Sequence, residues 1–172
     1  MKKLLAILFL CLIPIQANSF EIKIPFTFNG FSTVEKGTDI ISVAMKYDGY
    51  DQNKNRRELI EKLAIDPVRV PWCAGFLNYV LDKAGYKHTN SLSAASYHQY
   101  GYKVTDPKPG DIVLVKRRGG SGRHVAFFYG YYYEDGVQYV QLLGGNQDKA
   151  VSIKPVPKNL IVEYRRPIKK VT

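Results

Sequence analysis

The chain has 172 residues, of which 25 are lysine or arginine and 15 are acidic, for a formal net charge of +10. This is one domain's worth of chain, large enough for a real core, and it contains no internal repeat or low-complexity tract. The basic residues fall in separated pairs (Arg56-Arg57, Arg117-Arg118, Arg165-Arg166, Lys169-Lys170) and not in one tract, so nucleic acid is not the expected partner.

Lys2 and Lys3 precede an apolar run over residues 4–15, and Gln16-Ala17-Asn18-Ser19 supplies small residues after it. A positive start, a short apolar run and a small-residue site describe a signal peptide, assigned to residues 1–19, with cleavage after Ala17 or Ser19. The run is too short to span a bilayer comfortably, so no stable membrane insertion is expected after cleavage. Phe9 and Leu10 are too large to precede a lipidated cysteine, so Cys11 leaves with the signal. Cys73 is then the single thiol of a mature chain with 23 basic and 15 acidic residues, a balance of +8. The expected location is periplasmic or secreted. There, a lone cysteine points to a reactive thiol or to intermolecular pairing. The charge also fits attraction to an anionic cell envelope.

Residues 20–31 alternate apolar and polar around Pro25 and Gly30, and residues 20–37 are expected as an extended arm. Thr38-Asp39 can cap a first helix that runs to Tyr47 and ends at Asp48-Gly49. Residues 56–64 place Leu59, Ile60 and Leu63 at helical spacing, with Glu58 and Lys62 paired four apart. Asp66-Pro67 breaks that helix. Pro71 stands before a third helix over residues 72–84, stopped by Gly85, with Phe76, Leu77, Val80, Leu81 and Ala84 on its apolar face. Cys73 lies at the N-terminal end of that stripe. Residues 91–100 predict a short fourth helix.

After Pro107-Lys108-Pro109-Gly110 the period changes. Strands are expected over residues 111–116, 124–133, 137–143, 151–153 and 160–165. Residues 117–123 form a Gly-rich loop, Glu134-Asp135-Gly136 a hairpin turn, and Pro155 and Pro157 a connection. The expected class is α+β, with N-terminal helices packed on a C-terminal antiparallel sheet, and residues 38–172 as the folded domain.

Cys73 at a helix start, His124 at a strand start and Asn146 after two glycines occur in the order of a papain-type thiol enzyme. A helix N-terminus favours the thiolate, an imidazole takes and returns the proton, and an Asn oxygen can hold the other ring N–H. Each residue alone has an ordinary structural explanation; the order and element types together carry the reading. His88, in a loop, and His98, in a tyrosine-rich short helix, lack that setting. There is no His-Glu-x-x-His, paired cysteine or dense carboxylate group, so neither metal nor cofactor is expected. Gly119-Gly120-Ser121-Gly122 lacks the lysine of a phosphate loop. The Tyr131-Tyr132-Tyr133 run alternates across a sheet and is expected to be structural.

Pro71-Trp72-Cys73-Ala74-Gly75-Phe76, Pro109-Gly110-Asp111-Ile112-Val113, His124-Val125-Ala126-Phe127-Phe128 and Leu143-Gly144-Gly145-Asn146-Gln147, in that order, resemble the blocks of CHAP-type amidohydrolase/peptidases of the NlpC/papain-like superfamily. The resemblance runs over about residues 38–167. It implies Cys73 as nucleophile, His124 as base and Asn146 as orienting residue, with Trp72 and Gln147 expected to contact substrate. Many relatives carry an acid two residues before that Asn and a glycine before the His; here those positions are Gly144 and Arg123. The implied activity is cysteine amidohydrolase or endopeptidase action on peptidoglycan through a thioester acyl-enzyme. The target is either a peptide cross-link or the bond from stem peptide to sugar. An inactive wall-binding module and a papain-like transacylase are the alternatives, and the sequence leaves the oligomeric state open.

Overall fold

Helix starts and stops follow local chemistry. The computed structural model describes residues 39–116 and 123–171. The expected signal peptide, extended arm and most of the Gly-rich loop lie outside these described residues. Asp39 caps α1 (Ile40–Met45), its carboxylate accepting from the Ile41 and Ser42 amides, which fills helix donors that have no partner within the helix. Helix α2 (Arg56–Leu63) ends at Ala64, whose φ is +54°. Asp66 just beyond holds the Arg56 guanidinium in two hydrogen bonds of 3.0 and 2.6 Å. Helix α3 (Cys73–Lys83) begins two residues after Pro71 and gives way at Gly85.

The expected fourth helix is a 3₁₀ segment over Ala94–Gln99. Hydroxyls in and before it bond locally: Ser96 Oγ donates to Ser93 O at 2.7 Å and lies 2.9 Å from Thr89 Oγ1. Such bonds compete with a regular α-helix.

Six antiparallel strands form one sheet: β1 (Tyr102–Val104), β2 (Ile112–Lys116), β3 (Arg123–Glu134), β4 (Val137–Gln147), β5 (Ala150–Pro157) and β6 (Ile161–Arg166). Their spatial order is β1-β6-β2-β3-β4-β5. The last strand therefore lies between the first two. The β3–β4 turn has Asp135 at φ +49° and Gly136 at +75°, the left-handed pair that suits a twisted two-residue hairpin. Two strand expectations are corrected. Pro155 and Pro157 lie inside β5, pairing with Gln141 and Tyr139, which is tolerated because β5 is an edge strand with one side unpaired. The three-residue β1 has too little pattern to show in sequence.

Alternation in β2, β3 and β4 divides the core in two. On one side Ile112, Leu114, Val125, Phe127 and Leu143 meet Trp72, Phe76, Leu77, Val80 and Leu81. On the other, Val113, Val115, Ala126, Phe128, Val140 and Leu142 form a second cluster with Val156, Leu160, Ile161 and Tyr164. Helix α3 rests on β3 and β4, and the 3₁₀ segment on β2, β3 and β6. Helices on one face of an antiparallel sheet make the molecule α+β, as expected.

Candidate active site

Cys73 is the first residue of α3 and is 3 % exposed. Trp72 before it makes no side-chain cap, and the first turn holds no acid, while Lys83 sits in the last turn. The positive end of the helix is thus left for an anion at the Cys73 position, and charge placement elsewhere on the helix follows the dipole. Below lies Tyr97, fully buried, its hydroxyl donating to Asn78 Oδ1 at 2.7 Å. Burial pushes the Tyr97 phenol upward, and the negative forms of Tyr100 and Cys73 nearby add to this.

Trp72, expected to contact substrate, is packed into the core. Its ring is completely buried and its Nε1 donates to Gln52 Oε1 at 3.3 Å. The ring lies on Gly145: a Cβ there would stand 2.5 Å from Trp72 Cζ3 and 2.8 Å from Phe76 Cβ. Glycine at 145 is therefore a packing requirement that lets β4 approach the foot of α3. Gly144 is equally confined, since a Cβ would come within 2.7 Å of the Ala126 Cβ. An acidic side chain at position 144, as many relatives carry, has no room on this backbone.

His124 is the second residue of β3, paired with Val115 of β2. Its Nε2 bonds Gln147 Oε1 at 3.2 Å. The expected partner was Asn146, one residue earlier, and the cause of the difference is local. The β4–β5 register shifts between Gly144 and Gln147, and Asn146 takes a φ of +59°. That irregularity breaks the two-residue alternation. Gln147 turns inward and is buried, whereas Asn146 stays half-buried on the groove wall.

The Gln147 amide has one permitted orientation. Its Nε2 donates to Ser152 O at 2.5 Å and to Leu142 O at 3.2 Å. Those carbonyls accept only, so the NH₂ end must face them and Oε1 must face His124. An amide oxygen cannot donate, so the proton in that bond belongs to His124 Nε2. The neutral imidazole then has its lone pair on Nδ1. A buried glutamine tied to two strand carbonyls thereby sets which nitrogen of His124 can act as a base.

A groove of about 500 Å³ opens at this point. Pro71, two residues before Cys73, lines it together with His124, Asn146 and Gln147. The turn that follows is strained: Asp148 and Lys149 have φ of +51° and +69°. Asn and Asp accept this conformation readily, but a lysine there costs about 1 kcal/mol or more relative to glycine.

Asp111, from the Pro-Gly-Asp block, lies elsewhere and does structural work. It is buried at the start of β2, its carboxylate receiving Arg166 Nε at 3.1 Å and Nη2 at 2.8 Å, and the Lys108 amide at 2.8 Å. His98 is also structural, with Nδ1 2.6 Å from Glu163 Oε1. His88 sits in a loop where its Nδ1 accepts from the Asn90 amide at 3.2 Å.

Residues 65–146 match the family model of the CHAP domain. No curated protein matches the chain. Residues 65–146 thus form a CHAP-type domain, consistent with the NlpC/papain-like superfamily. The matched segment contains Cys73, His124 and Asn146 and stops one residue short of Gln147. CHAP domains are in general cysteine- and histidine-dependent amidohydrolase or peptidase domains, so membership points to a peptidoglycan-hydrolase or amidase type of function.

Proposed function

We propose that the chain is an exported cysteine amidohydrolase or endopeptidase that cleaves amide bonds of peptidoglycan, with Cys73 as nucleophile, His124 as base and Gln147 as the residue that positions His124. The observation that carries this reading is the hydrogen bond from His124 to a glutamine whose orientation is set by two strand carbonyls. Such a bond prepares Nδ1 for proton transfer, on a groove that begins two residues before a cysteine at a helix start.

The cycle follows from ordinary thiol chemistry. Nδ1 of His124 takes the Cys73 proton, and the α3 N-terminus stabilises the thiolate. The sulfur attacks the amide carbonyl carbon, and backbone N–H groups around Cys73 receive the oxyanion. The C–N bond then breaks, and the leaving amine takes the proton from the imidazolium. Water, deprotonated by Nδ1, attacks the thioester, releasing the carboxylate product and restoring the thiol. Asn146, on the groove wall, is assigned to contact substrate.

Mass spectrometry of products from purified sacculi tests the reading and identifies the bond cut. New amine and carboxylate ends are expected with the wild-type protein and none with Cys73→Ala. Intact sacculi after prolonged incubation, or equal digestion by Cys73→Ala, would overturn it. Export is tested by intact mass: protein from the periplasm or medium should begin at Asn18 or Phe20, and a mass that retains residues 1–17 there would refute processing.

A further inference from the structure

We propose that the groove beside His124 selects peptides that carry a carboxylate close to the scissile amide, and that Lys116, Lys149 and Lys154 read that carboxylate. The inference rests on the hydrolase reading of the site and names the chemical class of its substrate.

The groove wall holds three lysines, Lys116, Lys149 and Lys154, and a single acid, Asp148. Asp148 is ion-paired with Lys154. Lys116 closes β2 directly across from Arg123 of β3, and both are exposed. Like charges opposite one another on a sheet repel, and an anion between or beside them relieves that repulsion. Lys149 stands at a backbone position where glycine would be unstrained, so its side chain, not its backbone, is what the turn gains from it. Asp51 lies within electrostatic range of Lys149, but its Oδ1 is occupied by the Asn53 and Lys54 amides at 2.8 and 3.0 Å.

Several cations elsewhere among the described residues are matched by an acid. Arg56 pairs with Asp66, Arg166 with Asp111, Arg165 with Glu163 and Lys170 with Asp82. In the groove beside the candidate base, three lysines face one acid. A concave wall of one sign concentrates the field and draws the opposite charge. An amide substrate that enters here with a carboxylate beside the bond to be cut finds ammonium groups on the wall and His124 and Asn146 alongside. A carboxamide at the same place offers Lys116 and Lys149 no counter-charge, and Lys154 keeps only Asp148.

The test uses two synthetic wall-type peptides that differ at one group beside the scissile amide, a free acid in one and a carboxamide in the other. Binding to the Cys73→Ala protein is measured by calorimetry, so no turnover is needed. The acid peptide should bind about tenfold more tightly at low ionic strength, and the advantage should shrink as salt is raised. Adding Lys116→Gln and Lys149→Gln should bring the acid peptide down to the carboxamide level. Lys149→Gly, which removes the charge and suits the backbone, should give part of that loss without a folding penalty. Lys46→Gln, on a different face at the end of α1, should leave the ratio alone. Equal affinity for the two peptides, binding of neither, or a preference that survives the double lysine variant would overturn the proposal. Sacculus cleavage by the wild type reports on the hydrolase reading separately. Cleavage without acid preference removes only the present inference; acid preference without cleavage removes only the hydrolase.

Discussion

Asp111, at the start of β2, and Gln147, at the end of β4, are both buried polar side chains that tie neighbouring strands together. At the Asp111 corner every bond runs to the scaffold: the Arg166 guanidinium from β6 and the Lys108 amide from the preceding turn. At the Gln147 corner two bonds run to strand carbonyls, and the third runs to a histidine on a groove. The chemistry is similar but the endpoints differ. A closed network spends its interactions on holding the fold, while one that ends on a titratable ring can also set that ring's protonation. Loss of the first should appear in stability and loss of the second in activity.

The largest effect should come from the reacting pair. Cys73→Ala and His124→Ala should each lower kcat on sacculi by about 10⁴-fold or more, with little further loss when combined, because nucleophile and base act as one unit. Full activity in His124→Ala, with loss in His98→Ala or His88→Ala, would place the base elsewhere. Gln147→Ala should then lower kcat by about 10²-fold through misplacement of the ring proton, with KM less affected. Asn146→Ala should change KM more than kcat. If the two variants exchanged these signatures, Asn146 and not Gln147 would position the ring.

At the other corner, Asp111→Ala should reduce stability by about 2 kcal/mol, a fall in Tm of about 4–8 °C, while kcat per folded molecule is kept. A kcat loss matching that of Gln147→Ala would erase the distinction between the corners. A smaller effect concerns acid. Burial alone would raise the Glu163 carboxyl, but hydrogen bonds from His98 and Arg165 and their charges outweigh it and hold it below its ordinary value of 4.5. A depressed carboxylate stabilises the fold above its unfolded pKa, and that contribution is lost as pH falls through the folded one. Chemical denaturation should therefore show stability declining below about pH 4.5, with a weaker decline in Glu163→Gln. Smallest of all, Asn146→Gly should alter stability by less than about 1 kcal/mol, since asparagine already tolerates a positive φ; a large loss would mean that its side chain has a structural partner.

Much of the fold was legible because it is written locally. Asp39 caps α1 through amides two and three residues ahead, Pro71 and Gly85 bracket α3, and Asp135-Gly136 specifies the hairpin turn; each acts over a few residues, so sequence alone determines it. The placement of Cys73 at a helix start and His124 at a strand start follows from the same short-range signals, and with it the family. Tertiary structure decided the rest, because those features depend on what arrives from far along the chain. Nothing near Trp72 says that Gly145 will press on its ring and bury it. The strict two-residue alternation points to no particular partner for His124, and only the irregularity opposite β5 turns Gln147 inward in place of Asn146. The insertion of β6 between β1 and β2 joins Arg166 to Asp111, a pairing 55 residues apart in sequence. The gathering of Lys116, Lys149 and Lys154 on one wall is likewise a product of the sheet, which brings the end of β2, the β4–β5 turn and the middle of β5 together: in sequence they are scattered charges, and only the sheet sets them on one groove with His124.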